Sequence, residues 1–260
     1  MTKHKAFLIN YKFEMVAFIV NILVAIITFS VTTAFFALVI SVGIFTLSTF
    51  VVIYYKTKDK DFYFIPLDSH DSGKEWVGRG VFKYVINENC FEITNSDAGF
   101  IFPKVLTWDD YTVEFDFKIS NKALGFVVRA VDLSNYIMMQ CSYDGINPHI
   151  RQDGQWIVFS HTGTGLSFAS PLNIDLWHHA KLVCEKRSVR VAIYKNNNNA
   201  IFDRHWIIPE NITVEYKENL EAEKTIKLSK AVDFDFGAMG FRDYGHERAF
   251  IKNVFIEKLF

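Results

Sequence analysis

The sequence predicts a membrane α-helical hairpin followed by an all-β domain, an antiparallel β-sandwich. Three observations predict it. Residues Met15–Tyr55 run for 41 positions without Asp, Glu, Lys, Arg or His. From Trp76 onward, apolar and polar residues alternate in short runs separated by Gly, Asn and Asp, the period of half-buried strands. Many short strands with almost no helix pack as a sandwich or barrel.

The apolar stretch comes first. As a helix it would extend roughly 60 Å, twice the ~30 Å hydrocarbon core, so it accommodates two spans. The polar patch Thr28, Ser30, Thr32 and Thr33 divides it into spans near 14–30 and 33–55. A soluble helix pair would need a charged face, and neither half has one. Small or polar residues recur at helical spacing: Ala17, Asn21, Ala25 and Thr28 in the first half, Ala34, Ala37, Ser41 and Ser48 in the second. Such stripes let helices pack closely in lipid, on each other or between subunits of a homo-oligomer. Asn21 is read as an interhelical hydrogen-bonding group. Lys3, Lys5 and Lys12 precede the stretch and Lys56, Lys58 and Lys60 follow it, which places both flanks in the cytosol. A cleaved signal peptide is the rival, but the apolar run is long and the cleavage pattern poor.

The first 60 residues hold six lysines and two acids, leaving 22 basic and 27 acidic residues for the rest. A net charge near −5 excludes a general nucleic-acid binder, whose affinity depends on phosphate neutralisation. Cys90, Cys141 and Cys184 are odd in number, widely spaced and set in apolar runs; they read as buried free thiols in a reducing compartment. No motif calls for a cofactor or a metal.

Residues 1–60 are thus read as the hairpin, 61–75 as a charged connector, and 76–260 as the sandwich. Val81–Ile86 and Cys90–Thr94 form a first strand pair around Asn87-Glu88-Asn89. Tyr111–Ile119, Leu124–Val131 and Asn135–Tyr143 follow, with hairpin turns at Asp144-Gly145 and Asp153-Gly154. Trp177–Lys186, Ser188–Lys195 and Ile201–Trp206 come next, and Ala231–Arg242 and Arg248–Leu259 close the chain. The insert at 209–230, with its EYKENLEAEK run, is expected to be irregular or a short exposed helix.

The runs WVGRGVFKYVINENCFEIT, TWDDYTVEFDFKIS, ALGFVVRAVDLSNYIMMQ, DLWHHAKLVCEKRSVRVAIYKNNN and GAMGFRDYGHERAFIKNVFIEKL resemble the concanavalin A-like lectin/glucanase superfamily, nearest its laminin-G-like jelly rolls. The resemblance covers about Trp76–Leu259. It implies a jelly-roll sandwich with ligands held on a concave face, and it departs from the family at the Asn196–Asn199 turn and the insert.

Candidate site residues fall in three groups. Glu114 and Asp116 lie at i and i+2 of one strand and so share a face. The resemblance likens them to the carboxylates of retaining glucanases, but Lys118 stands where a further Glu is wanted, so the second catalytic group is missing. Arg129, Tyr136 and Gln140 are placed by the resemblance on the ligand-bearing face; the alternative for Arg129 is an ion pair with Glu114 or Asp116. Arg151 and Trp156, with His149 and His161, surround the Asp153-Gly154 turn, where Trp beside Arg suits a sugar or base ring. Asp243, His246 and Glu247 are too irregular for a calcium loop, and His178 and His179 point to opposite faces.

The expected function is a membrane-anchored binding or sensing module in the cytosol, with partners the lipid bilayer and a carbohydrate or other small polar ligand. A ligand- or oligomerisation-triggered membrane effector is one form of it. The alternatives are a membrane-tethered glycoside hydrolase, an extracellular glycan-binding domain, and a scaffold without a small ligand.

Overall fold

The computed structural model describes residue 16 and residues 18–24, 43–49, 61–158, 166–195, 200–217 and 225–260. The chain divides into two units, Met1–Lys60 and Asp61–Phe260. In the first, residues 18–24 and 43–49 are helical. Among the described residues no helix is long and apolar enough to cross a membrane; most of the spans expected at 14–30 and 33–55 lies outside those residues. So do Ala17, Ala25, Ala34, Ala37 and Ser41 of the small-residue stripes. Asn21 is exposed on its helix. Ser48 donates its hydroxyl to the Phe45 carbonyl at 3.0 Å, a bond within its own helix.

The second unit is built of strands: β1 (Phe62–Ile65), β2 (Val77–Val85), β3 (Cys90–Phe102), β4 (Tyr111–Asn121), β5 (Ala123–Asp132), β6 (Asn135–Ser142), β7 (Gly145–Gln152), β8 (Gln155–Val158), β9 (Leu166–Ser167), β10 (His178–Glu185), β11 (Ser188–Tyr194), β12 (Ala200–Ile207), β13 (Asn211–Lys217), β14 (Thr225–Ala231), β15 (Ala238–Arg242) and β16 (Arg248–Lys258). All but β13 and β14 form a curled antiparallel sheet, in the order β12-β11-β10-β4-β16-β3-β15-β5-β6-β7-β8, with β1 added to β16, β2 to β3 and β9 to β7; β13 and β14 pair separately. The curl occurs where β3 changes partners. Its residues Phe91–Ile93 pair with β16 and Phe100–Phe102 with β15. Between these segments Asn95 and Gly99 adopt left-handed φ of 52° and 87°, and a Cβ on Gly99 would lie 2.9 Å from the Phe241 carbonyl.

Alternation explains the core. On β4, Tyr111, Val113, Phe115, Phe117 and Ile119 are buried while Thr112, Glu114 and Asp116 face outward. The β4 rings meet the opposite limb of the sheet: Phe115 stands 4.9 Å from Phe241 and 5.0 Å from Phe126, and Phe117 stands 5.2 Å from Phe126, all edge-on. Truncating such a ring costs about 3–5 kcal/mol.

Three expectations are corrected. The insert forms the antiparallel pair β13–β14, not a helix, because Ile212, Val214 and Tyr216 alternate with polar residues as a strand requires; residues 218–224 lie outside the described ones. The last strand pair is shorter than Ala231–Arg242 suggests: β15 starts at Ala238, and Val232 and Phe234 are buried in a loop whose carbonyls accept from Arg187 and Arg129. Within the stretch read as a connector, Phe62–Ile65 pair with Glu257–Val254.

Candidate functional site

Arg129 is fully buried. Its backbone takes a left-handed φ of 50° at an irregularity where the β5–β6 register shifts, and a bulge of this kind re-aims a side chain. The guanidinium lies inside the fold. Nη1 donates to the carbonyls of Asp235 and Phe234, and Nη2 reaches Asp110 Oδ1 at 3.3 Å. The hydroxyl of buried Tyr111 accepts from the Arg129 N–H at 2.8 Å. The residue ties the 232–237 loop to β4 and pairs with neither Glu114 nor Asp116, so the alternation that placed it on the ligand-bearing face ends at the bulge.

The structure brings Tyr136, Gln140, Arg151 and Trp156 onto one face. The register sets Tyr136 opposite Arg151 and Arg151 opposite Trp156; Met138 lies opposite His149, and Gln140 opposite Asn147. Half-buried Trp156 is the centre. Arg151 stands 5.2 Å from its ring centre and Arg242 4.5 Å, distances at which a cation is drawn to an indole face. Tyr136 and His149 meet the same ring edge-on at 5.7 and 6.0 Å. Both guanidinium groups are fixed by one acceptor: Arg151 Nη1 and Arg242 Nε donate to the Asp97 carbonyl at 2.8 and 3.1 Å. Arg151 Nε is buried without a hydrogen-bond partner among the described residues.

Beyond the rings the face turns polar. Gln140 Nε2 donates to Glu247 Oε1 at 2.9 Å, and the Tyr244 N–H to Glu247 Oε2 at 2.6 Å. Burial pushes the Glu247 carboxyl above its ordinary range. Burial also lowers His149, which keeps its imidazole neutral near pH 7, one nitrogen a donor and the other an acceptor. Exposed Asn147 lies between them along β7. Donors and acceptors are therefore interspersed beside an aromatic ring, an arrangement that answers hydroxyl groups, each both donor and acceptor. Arg242 and Asn147 escaped the sequence reading, and Glu247 entered it only as part of a calcium loop that was set aside. The only signal for Arg242 is the β15 alternation, in which Gly240 and Arg242 share the side opposite Met239 and Phe241.

Glu114 and Asp116 lie elsewhere, on the outward side of β4, where the register sets them opposite Lys181 and His179 of β10. His179 Nδ1 meets Asp116 Oδ1 at 3.0 Å and Nε2 lies 3.7 Å from Glu114. Lys181 Nζ donates to Glu114 at 2.8 Å, and Asn253 to Asp116 at 2.6 Å. The His179 bond, with Lys181 beside it, lowers Glu114 to about 2. Burial works to raise Asp116, but the His179 and Asn253 bonds outweigh it and the carboxyl is lowered. Asp116 and then Glu114 raise His179 to about 9. A glycosidase acid must hold its proton near neutral pH; both carboxyls here are held ionised. A shallow depression of about 250 Å³ lies alongside, lined by Lys181, Val183, Arg190, Ala192 and Tyr194.

Among the described residues no group of three or more His, Cys, Asp or Glu could hold a metal ion. Asp243 is turned inward, its Oδ1 accepting from the Ser96 N–H and hydroxyl at 2.6 Å each. His178 is buried and its Nε2 lies 3.1 Å from the Asn173 carbonyl. The three cysteines are buried and free. His161 and Asn196–Asn199 lie outside the described residues.

No protein-family model matches the chain, and no curated protein matches it. Among solved structures, it is similar to the carbohydrate binding module CBM66 from Bacillus subtilis, at 16% identity over 71% of this chain and 96% of that one, with a TM-score of 0.48. A protein of unknown function with a galectin-like fold, also from Bacillus subtilis, shares 15% identity over 77% of this chain and 97% of its own, with a TM-score of 0.48. A putative glycosyl hydrolase from Parabacteroides distasonis shares 15% identity over 76% of this chain and 100% of its own, with a TM-score of 0.46. Scores at this level leave the fold to be read from the strand pairing itself.

Proposed function

We propose that the chain is a membrane-anchored binding module that holds a neutral carbohydrate, or a polyol of that chemistry, on the β6–β8 face at Trp156. The observation that carries the reading is the Trp156 indole with Arg151 and Arg242 5.2 and 4.5 Å from its ring centre, and neutral His149, Gln140 and Asn147 on the same face. Ring carbons of a sugar pack against the aromatic cluster, while its hydroxyls exchange hydrogen bonds with the interspersed donors and acceptors. The reading is non-catalytic, because Glu114 and Asp116 are engaged by His179 and Lys181 and stay charged.

Anchoring is supported by the 41 uncharged residues Met15–Tyr55. Within them the helical residues Phe18, Ile19, Val20, Ile22 and Leu23 are all exposed, which suits a lipid solvent rather than water. The lysine flanks favour two spans with the β unit in the cytosol. There the ligand would be an intracellular glycan or polyol.

Two measurements test this. Neutral oligosaccharides and polyols titrated against the full chain in nanodiscs should raise its melting temperature, as any ligand specific for the native state must; a panel that leaves it unmoved removes the carbohydrate reading. A reporter fused after Phe260 should be active only inside the cell, and activity only outside would reverse the topology.

A further inference from the structure

The outward side of the β1–β16 edge carries a row of aromatic rings, two exposed and two half-buried. Phe62 and Phe64 are each 40% exposed, and Phe255 lies directly across from Phe64, with the Phe62 and Phe255 rings 6.2 Å apart. Farther along β16, Lys252 Nζ stands 3.8 Å from the centre of the half-buried Trp177 ring, and Lys118 stands 5.4 Å from the same ring. Val254 and Ile256 point the other way, into the core, so these rings contribute nothing to it. Along the sequence, Phe62 follows Lys56, Lys58, Lys60 and then Asp61, just after the uncharged stretch.

We propose that this edge of the β unit rests on a phospholipid bilayer, with Phe62, Phe64, Phe255 and Trp177 at the boundary of headgroups and acyl chains and Lys252 among the headgroups. Aromatic rings favour that depth, and lysines reach past apolar contacts to keep their charge in water. The inference rests on the anchored reading above, since a tether entering at β1 holds this edge near the membrane at high effective concentration. Fixed charge along the row is mixed: Glu257 lies across from Phe62, Glu114 across from Phe255 and Asp116 across from Lys252, and the two β4 carboxylates are paired with Lys181 and His179. Apolar contact rather than anionic lipid therefore drives the docking, and zwitterionic lipid suffices.

The test uses the full chain reconstituted in phosphatidylcholine vesicles. A fluorophore is attached at Phe62→Cys or, in case that change disturbs β1, at Phe255→Cys; Gln155→Cys on β8, an exposed position, is the control. Cys90, Cys141 and Cys184 are buried and do not compete for label. Positions 62 and 255 should be quenched by spin-labelled lipid severalfold more than position 155. If the chain floats with the vesicles but 62 and 255 are quenched only from water, or no more than 155, docking is overturned and anchoring stands. A chain that does not float with the vesicles overturns anchoring and docking together.

Discussion

His179 should make the stability of the β unit fall as pH rises through the range of mild alkali. Its pKa stands at about 9 in the fold against an ordinary 6.5, raised by Asp116 and Glu114. A group whose folded pKa is raised stabilises fully below its unfolded value and ceases to do so above its folded one. The effect is therefore complete near pH 5.5, erodes between 6.5 and 9, and is gone by about 9.5. A rise of that size corresponds to roughly 3 kcal/mol at about 1.4 kcal/mol per tenfold change in proton affinity. The side chain is 29% exposed, and solvent screening reduces the figure to about 1–2 kcal/mol. The lowered pKa of Glu114 reports the same contact from the other side and is not added. Denaturation of the wild type and His179→Gln, each at pH 5.5 and 9.5, reads the difference. The wild type should lose about 1–2 kcal/mol more than the variant, a few degrees in melting temperature for a unit of this size. Equal pH dependence in the two would refute the argument that His179 bridges β4 and β10 as a cation.

Arg129→Met should destabilise by about 3–5 kcal/mol, because it leaves Asp110 and the carbonyls of Phe234 and Asp235 without their buried cation; urea unfolding measures this, and a loss below about 1 kcal/mol would contradict the buried network. Gly237→Ala should cost about 1–3 kcal/mol or more, since φ is 140° and a Cβ would lie 2.5 Å from the Arg129 carbonyl carbon; an unchanged melting temperature would show that the loop relaxes freely. The thiols should stay unreactive to a disulfide reagent at pH 8 until denaturant is added, because burial lifts Cys90 to about 11, Cys184 to about 12 and Cys141 higher still. Rapid labelling of the native chain would place at least one of them near the surface.

Much of the β unit was legible because its strands are half-buried. On β4 and β10 one face meets the Phe115–Phe126–Phe241 ring cluster and the other meets water, so apolar and polar residues alternate and the period declares itself. β5 was legible as a strand but not in its facing. Ala123 through Ala130 are all buried, which removes the polar markers of an outer face, and the bulge at Arg129 inverts the remaining alternation. The β13–β14 pair was hidden by the charged sequence EYKENLEAEK, whose composition imitates a helix, and β1 by its brevity. Within the site, Arg151 and Trp156 were found from proximity to one turn, and Tyr136 and Gln140 from the family resemblance. Arg242 was not found, and Glu247 was not assigned to this site, because they lie some ninety residues later and reach Trp156 and Gln140 only through the β15–β5 pairing. Long-range register of that kind leaves no local trace in sequence.

The central claim is that Trp156 and its two arginines form the ligand face. Calorimetric titration of the full chain with a neutral oligosaccharide that stabilises the wild type, repeated on Trp156→Ala and Glu114→Gln, tests it most directly. Affinity should fall about tenfold or more in Trp156→Ala, equivalent to at least about 1.4 kcal/mol, and stay unchanged in Glu114→Gln. Binding that survives Trp156→Ala and falls in Glu114→Gln would move the ligand to the β4–β10 face and contradict the account.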